Sequence, residues 1–83
     1  MTKNTIFVTI QKGFANLLNV ATEAITLETR LKEDLNVDSM FLFESAMKLE
    51  EDFGIEIPEE DMPKLTSIQE IVEYVAQRLQ EKA

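Results

Sequence analysis

Residues 34–39 hold the densest group of side chains that could perform chemistry. Asp34, Asn36 and Asp38 stand at alternate positions, which matches the first half of an EF-hand calcium loop. That loop requires Gly at its sixth position and Glu at its twelfth, where this chain has Ser39 and Ser45. The pattern therefore fails, and we predict no metal site.

Ser39 is the other candidate in this group. It lies where a weakly periodic segment meets the start of a predicted helix, and the free N–H groups and dipole of a helix N-terminus favour an anionic group. A phosphate ester on this hydroxyl would be electrostatically acceptable there. A Ser beside Asp38 is also commonly just a helix cap. Position alone leaves both interpretations open.

The rest of the chain lacks the side chains that most enzymes use. Its 83 residues contain no Cys and no His, which excludes a thiolate nucleophile, a Ser–His triad and a disulfide framework. Carboxylates are abundant, but no pair stands out as an acid–base couple, and there is no Gly-rich phosphate loop. We therefore expect a protein that is not an enzyme.

The sequence indicates a first helix followed by a long loop. Apolar residues at helical spacing predict a first helix over residues 3–19, although the β-branched run 5–10 could locally favour a strand and Gly13 weakens the helix. Periodicity fades over residues 20–37. There we expect four anchors to hold a long loop on the core, namely Ile25, Leu27, Leu31 and Leu35.

The second helix is predicted to begin after Asp38 or Ser39 and to end at Phe53, before Gly54. It has two faces. A core-facing stripe comprises Leu42, Ser45, Ala46, Leu49 and Phe53, and the opposite face carries Met40, Phe43, Glu44, Met47 and Glu51. A domain of this size is unable to bury both apolar faces, so the second set indicates a surface for a partner.

The last third predicts a short helix that starts at Pro58 and ends at Pro63, followed by a helix with a capping box at Ser67 and Glu70. Three main helices and one short helix make the predicted fold an all-α, four-helix bundle. We expect residues 1–83 to form a single domain.

Net charge is −8, and eleven acids with one base, Lys48, fall between Glu33 and Met62. This balance opposes nucleic-acid binding and favours proteins with basic patches as partners; a solubilising charge is the simpler alternative. No apolar stretch is long enough to insert in a membrane, and no secretory signal is evident. We expect a monomer in the cytoplasm.

Several segments, in order and at matching spacing, resemble the acyl carrier protein family. The triplet 38–40, Asp-Ser-Met, is similar to the family's Asp-Ser-Leu signature. Residues 31–40 resemble the end of its loop, 49–58 the end of its second helix and 66–68 the start of its last helix. The resemblance extends from Leu31 to Leu79 and weakly over the first helix.

This resemblance implies that 4′-phosphopantetheine is attached to Ser39, next to Asp38, by a transferase that takes it from coenzyme A. The thiol of that arm would carry acyl groups as thioesters to fatty acid or related biosynthetic enzymes with basic patches. The residues expected to contact these partners are Met40, Phe41, Phe43, Glu44, Met47, Glu50 and Glu51, together with Asp38.

Some positions depart from the family pattern. Asn36 replaces a usual Gly, although Asn tolerates left-handed dihedrals. Phe41 stands at a commonly acidic position, with Lys48 on the same side of the helix, and Met40 also occurs in D-alanyl carrier proteins. We hypothesise a specialised carrier whose partner enzymes expect an aromatic residue at position 41. D-alanyl, polyketide or peptidyl carriers, or an unmodified helical adaptor, stay open as alternatives.

Overall fold

Three α-helices make up most of the computed structural model, which describes residues 2–82. They are α1 (Lys3–Leu18), α2 (Ser39–Phe53) and α3 (Ile68–Lys82). A short 3-10 helix, Glu59–Lys64, precedes α3, and a single 3-10 turn, Thr22–Ala24, lies in the loop after α1. Within the described residues there is no extended strand, so the predicted all-α bundle is confirmed. The turn at 22–24 is an addition that the sequence pattern does not predict.

Helix α1 forms although its first turns are rich in β-branched residues. Thr2 caps it by accepting the Thr5 N–H at 3.2 Å. Ile6 and Ile10, four residues apart, are both fully buried on one face, so the packing of the helical stripe overrides the local strand preference. The helix ends at Leu18 because Asn19 adopts a left-handed conformation, with φ of 57°.

The loop between α1 and α2 is fixed by main-chain and side-chain contacts. The Leu31 N–H donates to the Thr66 carbonyl at 3.0 Å, and the Ile68 N–H donates to Thr29 at the same distance. These bonds tie the loop to the start of α3. The Gln11 amide of α1 also donates to the carbonyl of Ile25, at 2.7 Å.

Three of the four predicted loop anchors are confirmed. Ile25 and Leu31 are buried and Leu35 is half-buried. The prediction for Leu27 is wrong, because its side chain is 38% exposed. Its carbonyl accepts the Gln69 N–H at 3.0 Å, so the backbone rather than the side chain holds the loop at this point.

The short helix differs from its predicted bounds. Pro58 is the residue before it rather than its first residue, and Pro63 lies inside it rather than ending it. In a 3-10 helix each N–H pairs with the carbonyl three residues back, so Pro63 removes one donor without the ring clash that it would cause in an α-helix. The helix instead ends at Lys64, after which the Leu65 N–H donates to Met62.

Helix α3 begins where the capping signal predicts. The Ser67 hydroxyl accepts the Glu70 N–H at 3.3 Å, while the Glu70 carboxylate accepts from the hydroxyls of Thr66 and Ser67. Buried side chains of α1, α2 and α3 form one hydrophobic core cluster. The most deeply buried are Ile6, Ile10, Ile25, Leu31, Ile68, Ile71 and Val75. This core leaves the start of α2 at the surface.

Candidate functional site

The start of α2 presents Ser39 with a free hydroxyl. Asp38 is the capping residue, since its Oδ1 accepts the Phe41 N–H at 2.9 Å. Ser39 is therefore the first helical residue, and its side chain is exposed. Among residues 2–82, no hydrogen bond from another side chain or from the backbone engages the Ser39 hydroxyl. The structure thus gives the cap to Asp38 and leaves the oxygen of Ser39 open to a reagent.

A tight turn directly precedes the start of α2. Asn36 has φ of 54°, the left-handed conformation that Asn tolerates better than most residues. The expectation that Asn can replace Gly here is confirmed. Upstream, the Asp34 carboxylate accepts the Arg30 N–H at 2.8 Å, and the Arg30 carbonyl accepts the Asp34 N–H. Asp34 therefore shapes the turn.

The outward face of α2, which we define as Met40, Phe43, Glu44, Met47 and Glu51, is exposed as predicted. Met40 is 70% exposed, Met47 59% and Phe43 48%. Glu44 and Glu51 lie among these apolar side chains. Apolar side chains grouped on one helix face and flanked by acids are typical of a docking surface for a basic protein.

Two residues expected to contact partners also make contacts within the domain. Phe41 is half-buried, and its ring meets that of Phe14 edge to face with centroids 5.7 Å apart. Glu50 is also half-buried, and its carboxylate accepts the Ile57 N–H at 2.8 Å. Phe41 thus joins α2 to α1, and Glu50 fixes the segment that follows α2.

Lys48 lies on the side of α2 that faces α1. Its ammonium lies 3.7 Å from Asp52, and its aliphatic stem crosses Gly13, where a Cβ would stand 3.5 Å from the Lys48 Cε. That distance is an ordinary van der Waals contact, so the stem lies against α1 with room for a small side chain at residue 13. Lys48 is thus paired on the flank of the helix and lies outside the outward face.

A cleft of about 380 Å³ opens beside Ser39, between α2 and the short 3-10 helix. Leu42 and Phe43 line it on the side of α2, and Met62 and Pro63 line it on the side of the short helix. Charged residues also line the cleft, namely Lys32, Glu33 and Glu59. Sequence reasoning missed Met62 and Pro63, because a six-residue helix carries no periodic signal that would show which side chains face a neighbour. The position of Ser39 at the mouth allows a group attached to it to reach an apolar recess.

Residues 2–82 contain no group of three or more acidic side chains that could hold a metal ion. In the same range, none of the helices combines the length and apolar character needed to cross a membrane. An exposed hydroxyl at a helix start, with a cleft beside it, suits a covalently attached phosphate ester.

Comparisons with known proteins agree with this geometry. The family described as the phosphopantetheine attachment site matches residues 8–75. An acyl carrier protein of Rubrobacter xylanophilus is 42% identical over 77 residues, which cover 93% of this chain and 95% of the relative. One from Campylobacter hominis is 39% identical over 70 residues, covering 84% of this chain and 89% of the relative.

The solved structures give the same result. The acyl carrier protein from Enterococcus faecalis superposes with a TM-score of 0.80 and 29% sequence identity, covering 94% of this chain and 99% of that one. The sequence match and the shared fold extend over the exposed Ser39 and the helices that position it. The chain belongs to the acyl carrier protein family, whose members bear a phosphopantetheine group.

Proposed function

We propose that this protein carries acyl groups as thioesters on a 4′-phosphopantetheine arm attached to Ser39. The observation that carries this proposal is the exposed, unpartnered hydroxyl of Ser39 at the first position of α2. The arm supplies the thiol that the chain lacks, since the sequence contains no Cys. The protein itself, as one carrier domain, presents the arm and its cargo to enzymes.

The three serines of the chain differ in their availability. Ser45 is only 4% exposed, and its hydroxyl donates to the Leu42 carbonyl at 2.9 Å. Ser67 is half-buried and caps α3 through the Glu70 N–H. Ser39 alone among them is exposed and free of such a bond, which favours it as the attachment point.

The helix end also suits the product of attachment. Transfer from coenzyme A forms a bond between the Ser39 oxygen and phosphorus, the hydroxyl proton leaves, and the nucleotide part of coenzyme A departs as the leaving group. The new phosphodiester carries a negative charge at the positive end of the α2 dipole. Asp38 lies beside it and opposes that charge, but its carboxylate is directed to the Phe41 N–H.

Recognition by partner enzymes is assigned to the outward face of α2. Glu44 and Glu51 would attract the basic patches of a phosphopantetheinyl transferase and of acyl-transferring enzymes, and Met40 and Met47 would supply apolar contact. Charges at the rim of an interface govern encounter rate and specificity more than tight affinity. Weak binding suits a carrier that must release each partner.

The apolar walls of the cleft favour a fatty acyl cargo. Leu42 and Met62 would pack against a hydrocarbon chain that entered from Ser39, and burial of each CH₂ would contribute about 0.8 kcal/mol. The charged residues that also line the cleft, Lys32, Glu33 and Glu59, make no such contribution. The apolar part of the cleft therefore favours a fatty acyl cargo, in line with fatty acid or related synthesis.

The attachment is tested by intact mass after co-expression with a broad-specificity phosphopantetheinyl transferase. We expect a phosphopantetheine-sized increase in the wild-type chain, complete loss of it in Ser39→Ala, and retention of it in Ser67→Ala as the matched control. The unmodified adaptor predicts no increase with any transferase. An increase that persists in Ser39→Ala would overturn the assignment of the site.

A further inference from the structure

Asp61, Tyr74 and Arg78 form a polar cluster between the short 3-10 helix and α3. The Tyr74 hydroxyl donates to the Asp61 Oδ2 at 2.6 Å. The Arg78 Nε donates to the Tyr74 oxygen at 3.2 Å, and its Nη2 lies 3.5 Å from the same Asp61 oxygen. The guanidinium also stands over the Tyr74 ring, 5.3 Å from the centroid. Three side chains thus close a network around one carboxylate oxygen.

The short helix lies between two buried residues, Ile57 and Leu65, and its own residues are less firmly held. None of its six residues is buried, and Pro58 provides no side-chain cap. Within residues 2–82, Asp61 is the one residue of this helix whose side chain hydrogen-bonds to another element; its bond with Lys64 is internal. Met62 is half-buried against the core. Asp61 therefore makes the side-chain hydrogen bonds that join this helix to α3.

The ionisation states of Asp61 and Tyr74 reinforce the network. The hydrogen bond from Tyr74, together with Lys64 and Arg78, holds the pKa of Asp61 below its usual value. Burial, and then the bond to Asp61, raises the pKa of Tyr74 above its usual value. Glu81 is the other charged group at this edge, and it pairs with Arg78 at 3.5 Å. A protonated tyrosine therefore faces an ionised carboxylate throughout the neutral range.

The cluster and the cleft share this helix. Met62 follows Asp61 directly and, with Pro63, lines the cleft on the side of the short helix. A displacement of the short helix away from α3 would move that side of the cleft. We propose that the Asp61–Tyr74–Arg78 cluster is a latch that holds the short helix against α3 and thereby sets the width of the cleft beside Ser39. The inference rests on the proposed function for the cargo of the cleft; the latch itself is a property of the unmodified chain.

Hydrogen exchange of the unmodified protein tests the latch, with Tyr74→Phe removing one hydroxyl and keeping the ring. The amides of Asp61 and Leu65 donate the hydrogen bonds at the two ends of the short helix. We expect them to exchange about tenfold faster in Tyr74→Phe, because the hydrogen bond from the Tyr74 hydroxyl to the charged Asp61 is lost. Amides of α1 should keep their rates. Glu81→Gln, which removes the other partner of Arg78, is the control and should change exchange by less than about twofold.

A second variant makes the test independent of Tyr74→Phe. The chain has one Tyr and no Trp, so its tyrosine emission reports Tyr74 alone. Asp61→Asn should alter that emission and speed exchange in the short helix, while Glu81→Gln should alter neither. Unchanged exchange in both latch variants, or an equal increase in all helices, would overturn the latch. Failure of Ser39 to accept phosphopantetheine would overturn the proposed function and leave these exchange results standing.

Discussion

The two faces of α2 lie on one helix yet meet opposite requirements. On the inward side Ser45, Ala46 and Leu49 are buried, and the Ser45 hydroxyl finds its acceptor within the helix. On the outward side Met40 and Met47 are mostly exposed. Exposed methionines contribute little to stability, whereas they suit a surface that binds several partners. Folding and recognition are therefore separable by mutation within this helix.

The largest expected difference between the faces is in stability. Leu49→Ala should lower the free energy of unfolding by about 2–5 kcal/mol, because it removes a buried side chain and leaves a cavity. Met47→Ala, two residues away and exposed, should change it by less than about 0.5 kcal/mol. Urea denaturation followed by circular dichroism measures both. Equal losses would mean that the outward face contributes to the core.

Helical periodicity explains why so much of α2 could be predicted from sequence. A 100° step fixes the direction of each side chain around the axis, so Leu49 and Met47 were assignable to opposite faces before any neighbour was known. The same holds for the ends, where Asp38 and Gly54 have strong local preferences. Position alone does not identify Ser39 as an attachment site, because a Ser at a helix start is commonly a cap. The resemblance of residues 38–40 to the family signature identifies it.

Contacts between elements could not be predicted in this way. Nothing in the pattern of α2 indicates that Phe41 meets Phe14, or that Glu50 accepts the Ile57 N–H. These contacts depend on how helices and loops pack, which periodicity does not specify. For the same reason Leu27 was expected inside, although its backbone rather than its side chain makes the attachment.

An effect of intermediate size is expected on the rate of loading when the charge of the outward face is reversed. The double variant Glu44→Lys and Glu51→Lys should slow loading of Ser39 by a basic transferase by about tenfold at low salt, and should weaken its salt dependence. The reversal of two exposed acids elsewhere, Glu23→Lys and Glu73→Lys, gives the same net charge and should have a smaller effect. Loading rates across a salt series provide the measurement.

This comparison separates local from overall charge. If both double variants lose the same rate, the partner responds to net charge and the outward face of α2 has no special role in encounter. If neither variant changes the rate at low salt, the acids of α2 are a solvated surface. Only a loss confined to Glu44 and Glu51 supports docking on this face.

The smallest effect on stability is expected at Asp38, which caps α2 and also lies next to Ser39. Asp38→Ala should cost about 1 kcal/mol of stability, because the Phe41 N–H loses its side-chain acceptor. Asp38→Asn keeps a capping oxygen and should retain nearly all of that stability, yet it removes the negative charge beside Ser39. Denaturation and loading rates of the two variants separate the roles. If Asp38→Ala is as stable as Asp38→Asn, the capping role is contradicted. If Asp38→Asn is loaded at the normal rate, the transferase does not need the negative charge.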